Sequence, residues 1–340
     1  MEINETPITP AEILAAVNHT LNLPLLITKP ANQTLADARK QKVPNQLFGT
    51  IWHEGELCIL FSDTNLGKSA LAVQIAESIA SGTSLGPLHP TAKAQPVLYF
   101  DFEMSEKQFE ARYSVQYKNH YLFSPNLYRS YLNPDAMTDD DGYALSQAIE
   151  QEIQNTSARI LIIDNLTYLR NETERAKDAL PLMRHLKQLK SKHGLSILAL
   201  AHTPKRDMSR PLTVNDLQGS KMLANFADSL FAIGASGQGT DLRYVKQLKA
   251  RATAIYYDAQ NALVCRIKKP YNFLCYEFVT IGSESQHLQE NEGQQDETRL
   301  IKQIQTLHDE GKTQRDIAEA LGIGLGTVCR KLKLKPETAA

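Results

Sequence analysis

Four short apolar runs, spaced along the middle of the chain, constrain its fold more than any other feature. They are ELCILF (56–61), PVLYFDF (96–102), RILIID (159–164) and LSILALA (195–201). The segments between them carry apolar residues at helical spacing. Strands this apolar are usually buried on both faces, which indicates a mostly parallel sheet covered by helices. The sequence therefore predicts an α/β fold.

The chain divides into parts of different composition. Residues 46–282 hold the apolar runs and, after about residue 228, a strand-rich region that we expect to extend the sheet with antiparallel strands. Residues 1–45 are polar and interrupted by prolines, and we interpret them as an N-terminal arm or linker with one short helix at 10–21. Residues 283–297 have the acidic, polar composition of a linker. Residues 298–335 form a separate helical pattern.

Composition excludes several classes of protein. The 340 residues are 42% hydrophobic and 22% charged, which is typical of a globular protein rather than a disordered or fibrous one. No apolar run is long enough for a membrane span, and the N-terminus lacks the pattern of a secretory signal, so we expect a cytoplasmic protein. The four cysteines show no metal-binding spacing. With a net charge of -1, any DNA binding must come from local basic patches.

The turn after the first apolar run carries the strongest chemical signal. Residues 62–69, SDTNLGKS, match the phosphate-binding pattern GxxxxGK[ST] except that Ser62 replaces the first glycine. In such a turn the backbone N–H groups face the phosphates, Lys68 reaches the β- and γ-phosphates, and the Ser69 hydroxyl ligates Mg²⁺. ATP and Mg²⁺ are therefore the expected cofactors, although a chance turn is the alternative. The predicted nucleotide-binding residues are Ser62, Asp63, Thr64, Asn65, Leu66, Gly67, Lys68, Ser69 and Ala70.

Two carboxylates follow other apolar runs. Asp164 ends the third run, where a carboxylate could help Ser69 to hold Mg²⁺. The next residue is Asn165 rather than Glu, so the group that orients the attacking water must come from elsewhere. Glu103, after the second run, is the candidate. The alternative is an ordinary exposed carboxylate in a loop.

The segment EMS at 103–105, followed by Gln108, resembles the RecA-fold hexameric helicases of the RepA and DnaB type. Together with the phosphate-binding turn and Asp164, the resemblance covers roughly residues 45–280. It implies a RecA-like P-loop NTPase and a homo-oligomeric ring, expected to be a hexamer. It also implies that His202, at the end of the fourth run, senses the γ-phosphate. A histidine packed at a strand end is the alternative.

The same resemblance implies roles for two groups of basic residues. Lys249 and Arg251, in QLKAR (247–251), look like the pair that such motors insert into the neighbouring subunit's site. Residues i and i+2 of a strand point to the same side, as that role requires. The loop after His202 would line a central channel and hold single-stranded DNA through Lys205, Arg206 and Arg210. A solvated strand edge and a solvated loop are the alternatives.

The C-terminal segment has the pattern of a small all-α helix-turn-helix domain. Ala318, Gly322 and Val328 have the required spacing, with predicted helices at 314–321 and 327–332. The segment is basic and resembles the helix-turn-helix units of recombinases and transposon proteins. The start of its last helix offers few groups that could read bases, so we expect mostly contacts with duplex phosphates and modest sequence specificity. A protein-docking helical domain is the alternative. The predicted DNA contacts there are Thr327, Arg330 and Lys331.

These expectations favour an ATP-hydrolysing DNA motor that acts in the replication or mobilisation of a plasmid or transposon. The alternative is a DNA-binding ATPase that does not unwind DNA and instead loads or regulates a recombinase, transposase or replication partner. A third hypothesis is a signalling ATPase or kinase of the RecA superfamily that does not act on nucleic acid.

Overall fold

The computed structural model describes residues 26–136, 141–169, 179–204, 206–218, 221–289 and 292–332. The helix predicted at 10–21 and the predicted DNA contact Lys205 lie outside these ranges. The chain separates into two compact units, Met1–Pro44 and Asn45–Ala340. In the described part of the first unit, helix α1 (Ala31–Arg39) follows Pro30 and buries none of its residues. The sequence reading did not predict this helix.

The second unit is built on a nine-stranded sheet. The strands are β3 (Leu57–Ser62), β4 (Val97–Asp101), β7 (Leu127–Ser130), β8 (Ile160–Asp164), β9 (Ser196–His202), β10 (Ser229–Ala235), β11 (Leu242–Ala250), β12 (Ala262–Lys268) and β13 (Cys275–Gly282). Their order across the sheet is β13-β12-β11-β10-β3-β9-β8-β4-β7. Two small antiparallel pairs stand apart, β1 (Gln46–Phe48) with β2 (Trp52–His53) and β5 (Ser114–Val115) with β6 (Asn119–His120).

Strand directions confirm the predicted RecA-like α/β fold. The six strands from β10 to β7 in the sheet order are parallel. Strands β11, β12 and β13 add to β10 in antiparallel fashion, as expected for the strand-rich end of the domain. The four apolar runs became β3, β4, β8 and β9, which lie side by side in the middle of the sheet.

Helices cover both faces of the sheet because each central strand is apolar on both sides. On β3, Leu60 belongs to the core on one face and Phe61 to the core on the other. The first core includes residues of α2 (Lys68–Ser81), and the second includes residues of α4 (Asp141–Thr156) and α5 (Ala179–His193). Two shorter helices are α3 (Glu106–Arg112) and α6 (Lys221–Phe226). Among the described residues, no helix combines the length and apolar character that a membrane span requires.

The connection between the sheet and the C-terminal helices differs from the predicted linker at 283–297. A short 3-10 helix, Glu284–His287, packs against the sheet, and its two end residues are buried. Glu284 forms an ion pair with Lys246 of β11 and accepts a hydrogen bond from the Leu212 N–H at 2.7 Å. Composition alone did not predict this, because the partners that hold this polar segment, such as Lys246 and Leu212, are distant in sequence.

Three helices end the described chain: α7 (Glu292–Asp309), α8 (Gln314–Leu321) and α9 (Leu325–Leu332). The first begins before the predicted domain boundary at residue 298, and α8 has the expected bounds. The helices pack around a small core of Ile304, Ile317 and Val328. Gly322 ends α8 with φ 61°, a left-handed conformation that glycine adopts without steric cost.

Candidate active site

The turn between β3 and α2 has the shape expected of a phosphate-binding loop. Ser62 is the last residue of β3 and is extended, so this position does not require the usual glycine. Gly67, with φ 90°, does require one, because a Cβ there would also lie 2.8 Å from Ile267 Cδ1. The Tyr276 hydroxyl donates a hydrogen bond to the Leu66 carbonyl. Residues of β12 and β13 thus hold the turn from outside.

Lys68 begins α2, and its ammonium group folds back over the turn. It donates hydrogen bonds to the carbonyls of Ser62 at 2.9 Å and Asp63 at 3.1 Å, and lies 3.2 Å from His202 Nδ1. Burial lowers the pKa of Lys68, and the nearby carboxylates Asp164 and Glu103 partly oppose that shift. The cation therefore lies at the mouth of a loop that can bind anions.

Asp164, at the end of β8, is buried and only partly satisfied. Its Oδ2 accepts a hydrogen bond from the Tyr99 hydroxyl at 2.7 Å, whereas its Oδ1 is buried without a hydrogen-bond partner. Burial raises the pKa of Asp164 to about 6, while the nearby Ser69 and Tyr99 hydroxyls act in the opposite direction. An unsatisfied carboxylate oxygen close to a serine hydroxyl fits Mg²⁺, a cation that takes oxygen ligands.

These two residues could supply only part of a metal's coordination shell. Within the described ranges, no group of three or more His, Cys, Asp or Glu side chains could hold a metal ion. Magnesium commonly binds one or two protein oxygens, and nucleotide phosphates and water complete its shell. Ser69 and Asp164 would hold the ion in that way, and it would neutralise the charge of the phosphates when bound.

Glu103 lies where β4 has just ended, next to Asn165 and His202. Its Oε1 accepts a hydrogen bond from the Asn165 side-chain amide and lies 3.3 Å from His202 Nε2. The hydrogen bond with His202 lowers the pKa of Glu103 despite partial burial, and the charge of Lys68 adds to the effect. An ionised carboxylate in this position can accept a proton or a hydrogen bond from water.

The register of the sheet explains why these side chains meet. Ser62 pairs with His202 across β3 and β9, and Asp101 pairs with Asp164 across β4 and β8. All four strands are parallel, so their carboxyl ends form one edge of the sheet, where ligands of open α/β sheets bind. Of the predicted residues, Lys68, Ser69, Glu103, Asp164 and His202 all lie at this edge.

Sequence reasoning missed two contributors to this edge. In the sequence Asn165 is notable only because it is not glutamate, yet its amide contacts both Glu103 and His202. Tyr99 belongs to an apolar run in the sequence, yet its hydroxyl donates a hydrogen bond to Asp164. A tyrosine inside a mostly apolar strand was the available signal, because a buried hydroxyl needs a partner.

Lys249 and Arg251 lie at the opposite end of the strands from the candidate active site, where the parallel strands begin. Lys249 pairs with Leu230, near the start of β10, whereas the phosphate-binding turn follows the end of β3. Lys249 Nζ donates to the carbonyls of Ala224 at 2.7 Å and Ala227 at 2.8 Å. Arg251 is half exposed and lies 3.3 Å from Asp228. Within one chain, therefore, neither cation is near Lys68.

The basic loop after β9 differs from the expected row of exposed cations. The Arg206 side chain is 6% exposed and lies between Asp63, at 3.7 Å, and Asp216, at 3.8 Å. In this arrangement its guanidinium is not available to a DNA backbone, because two carboxylates neutralise it. Arg210 is exposed and pairs with Asp207. Among the described residues of the predicted channel loop, Arg210 is thus the exposed cation.

A family comparison agrees with this geometry. Residues 27–208 match the model of a family described as an AAA domain. The chain belongs to this AAA-domain family. The match contains the phosphate-binding turn, Glu103, Asp164 and His202, so this AAA protein is a P-loop ATPase.

A solved structure with a related fold is also known. The structure is similar to that of a KaiC-like protein from the hyperthermophilic archaeon Pyrococcus horikoshii OT3, at 15% sequence identity and a TM-score of 0.46. That match covers 66% of this chain and 90% of the other. A search of curated proteins gives no match.

Proposed function

We propose that this AAA protein is an ATP-driven DNA motor of the RepA type, acting in the replication or mobilisation of a plasmid or transposon. One observation carries the ATP-hydrolysing part of the proposal: Lys68, Glu103 and His202 meet at the edge of the sheet where Asp164 ends its strand. This set contains a phosphate-binding cation, a water-orienting carboxylate and a group that contacts both.

In the proposed mechanism each side chain has one task. Lys68 leaves the carbonyls of Ser62 and Asp63 and binds the β- and γ-phosphates of ATP. Glu103 orients the attacking water and accepts a hydrogen bond from it. His202 lies between them, so the presence of a γ-phosphate changes its contacts with Lys68 and Glu103. Ser69 and Asp164 would hold Mg²⁺.

We propose a ring because Arg251 does not reach the candidate active site of its own chain. That residue lies at the opposite end of the strands, is half exposed and could reach a site on a neighbouring copy. A finger supplied in this way is worth roughly 10³–10⁵ in rate. We therefore propose a homo-oligomeric ring, with six subunits as the working number, in which hydrolysis requires assembly.

DNA is proposed to bind in two places. Duplex phosphates would contact the C-terminal helices through Thr327, Arg330 and Lys331, where Arg330 is exposed and Val328 is in the small core. Single-stranded DNA in a channel would contact the loop after β9. Support for the second place is weaker, because it depends on Arg210 and on Lys205, and Arg206 is neutralised.

That weakness favours a second candidate, a DNA-binding ATPase that does not unwind DNA and instead regulates a recombinase, transposase or replication partner. Its specific support is the pairing of Arg206 with Asp63 and Asp216, which leaves fewer cations to hold a single strand. A C-terminal helix-turn-helix unit would suffice to place such a protein on duplex DNA.

Two measurements test these proposals. ATP turnover should be lost in Lys68→Ala, while Lys107→Ala, an exposed lysine in α3, should keep it. Normal turnover in Lys68→Ala would refute the site. Strand displacement then separates the candidates: ATP-dependent unwinding of a forked duplex supports the motor, and DNA-stimulated hydrolysis without unwinding supports the regulator. Hydrolysis that DNA does not stimulate would contradict both.

A further inference from the structure

Asp101 and Arg129 form a buried ion pair directly beneath the turn that carries Glu103. Asp101 ends β4, and Arg129 lies on the neighbouring edge strand β7, where it pairs with Tyr99. Arg129 Nε donates to Asp101 Oδ2 at 2.9 Å. The Asp101 side chain is 0% exposed and that of Arg129 is 15% exposed, so water screens this pair little.

The same pair binds the backbone of the turn. Asp101 Oδ1 accepts hydrogen bonds from the N–H groups of Met104 at 2.9 Å and Glu103 at 3.3 Å. The Arg129 guanidinium also donates to the Met104 carbonyl at 2.6 Å. These two side chains thus fix three backbone groups, the Glu103 N–H before the Glu103 Cα and the Met104 N–H and carbonyl after it.

Aromatic rings hold the guanidinium in place. Its central carbon lies 4.7 Å from the centroid of the Phe109 ring and 4.8 Å from that of Tyr131. Cation–π contacts of this kind favour arginine, whose planar group stacks and still donates in its own plane. A lysine could pair with Asp101, but its single ammonium could not reproduce the planar stacking and the fixed two-donor geometry.

We propose that Asp101 and Arg129 are positioning residues for ATP hydrolysis, because they set where the Glu103 carboxylate stands relative to the attacking water. This inference rests on the proposed role of Glu103. No hydrogen bond or ion pair of these two side chains reaches the phosphate-binding turn in the described structure, so we expect them to affect the hydrolytic step far more than nucleotide binding. A displacement of about 1 Å in such a group can cost about 10²-fold in rate.

The test is a kinetic cycle on the full-length protein. Steady-state ATP turnover and the Kd for a fluorescent ATP analogue are measured for wild type, Arg129→Met, Glu103→Gln and the double variant. Arg129→Met should lower kcat by about 10- to 100-fold while the Kd stays within about threefold of wild type. In the double variant, kcat should equal that of Glu103→Gln, because Arg129 acts only through that carboxylate.

Two further variants guard against unfolding and general damage. Arg129→Lys keeps the charge and should fold, with a kcat between those of wild type and Arg129→Met. Arg159→Met removes an exposed arginine that precedes β8, and should leave both kcat and Kd unchanged.

The outcomes separate this inference from the proposed function. If Glu103→Gln lowers kcat but Arg129→Met and Arg129→Lys leave it within twofold of wild type, the positioning role is wrong and the site stands. Equal losses from Arg129→Met in the wild-type and Glu103→Gln backgrounds would also overturn it. If Glu103→Gln itself keeps normal turnover, the proposed role of Glu103 fails, and with it the basis of the inference.

Discussion

Arg206 Nε lies 3.7 Å from Asp63 Oδ2, so the loop after β9 is tied to the phosphate-binding turn. The Thr203 hydroxyl donates to the same carboxylate, and the Asp63 carbonyl accepts a hydrogen bond from Lys68. When Lys68 moves to bind phosphate, we expect the change at Asp63 to reach Thr203 and Arg206. A nucleotide-dependent loop is what either proposed function requires.

The first prediction concerns the free energy of unfolding of Arg206→Gln. The substitution leaves Asp63 and Asp216 without their shared cation in a poorly hydrated place, so we expect a loss of about 1–3 kcal/mol. Arg210→Gln changes a residue whose side chain is 81% exposed and should stay within about 0.5 kcal/mol of wild type. Urea unfolding measures both.

DNA binding provides the opposite expectation for the same pair of variants. Arg210→Gln should weaken binding to single-stranded DNA, and Arg206→Gln should weaken it less. If Arg206→Gln kept full stability and lost the greater share of affinity, the guanidinium would be exposed in solution and the ion pairs seen here would not persist.

The second prediction is that Lys249 contributes to the stability of the domain, whereas Arg251 contributes to ATP turnover. Lys249→Met removes the donor to the carbonyls of Ala224 and Ala227 at the end of α6, so the free energy of unfolding should fall by about 1–2 kcal/mol. Arg251→Met removes a half-exposed cation and should affect stability less. Arg251→Met should instead lower ATP turnover, by roughly 10³-fold or more if the arginine completes the active site of a neighbouring subunit.

Mixing experiments check the Arg251 expectation directly. Titrating Arg251→Met subunits into wild-type protein should depress turnover, because each variant subunit disables the site next to it. Turnover that simply follows the fraction of wild-type protein, with full activity in dilute monomers, would show that no residue is supplied between copies.

The central fold followed from sequence because its signals were local. Four apolar runs became four neighbouring parallel strands, since a strand apolar on both sides can be buried only inside a helix-covered sheet. The edge strand β7, LYRS, was missed because it is short, half-buried and carries a charge. The linker after β13 was misjudged because the partners that hold Glu284, the Lys246 side chain and the Leu212 N–H, are distant in sequence.

The sequence predicted individual residues of the candidate site, but it did not predict the ion pairs between residues that are distant in sequence. The roles proposed for Lys68 and Asp164 need particular residue types at or shortly after the ends of strands, so short motifs predict where such residues lie. Arg206 and Arg129 have roles set by partners that are far away in sequence, such as Asp63 and Asp101. A pattern of basic residues cannot show whether a guanidinium is neutralised by a buried carboxylate, because that depends on tertiary packing.

The third prediction concerns stability in acid. Asp228 accepts hydrogen bonds from the Leu57 N–H at 2.9 Å and from Lys190 at 2.8 Å. Burial alone would raise the pKa of Asp228, but these partners outweigh it and hold that pKa below the usual aspartate value. The stabilisation is therefore present above the unfolded-state pKa and is lost as the pH falls through the lower folded-state value.

Asp228→Asn should accordingly lower the free energy of unfolding by about 1–3 kcal/mol at pH 7. The difference from wild type should shrink as urea unfolding is repeated at pH values below the ordinary aspartate range. Asp309→Asn is the control, because that side chain is 84% exposed. A difference that stays constant down to the lowest pH would show that the charge of Asp228 is not what stabilises the domain.

The last prediction concerns how the C-terminal helices bind DNA. Arg330 is exposed on α9, and Lys331 follows it, while Gly326 earlier in the helix offers no side chain to a base edge. Arg330→Ala should therefore weaken binding to unrelated duplexes by a similar factor. It should also reduce the slope of log affinity against log salt by about one, as expected for a lost phosphate contact. Fluorescence anisotropy at several salt concentrations measures both quantities.

Arg299→Ala, on the exposed side of α7, serves as the matched control and should leave affinity unchanged if α9 forms the contact. A loss of about 1–3 kcal/mol confined to one sequence would instead mean that Arg330 reads a base. No loss on any duplex, with α8 and α9 still folded, would favour the protein-docking alternative, because Arg330 would then make no contact with DNA phosphates.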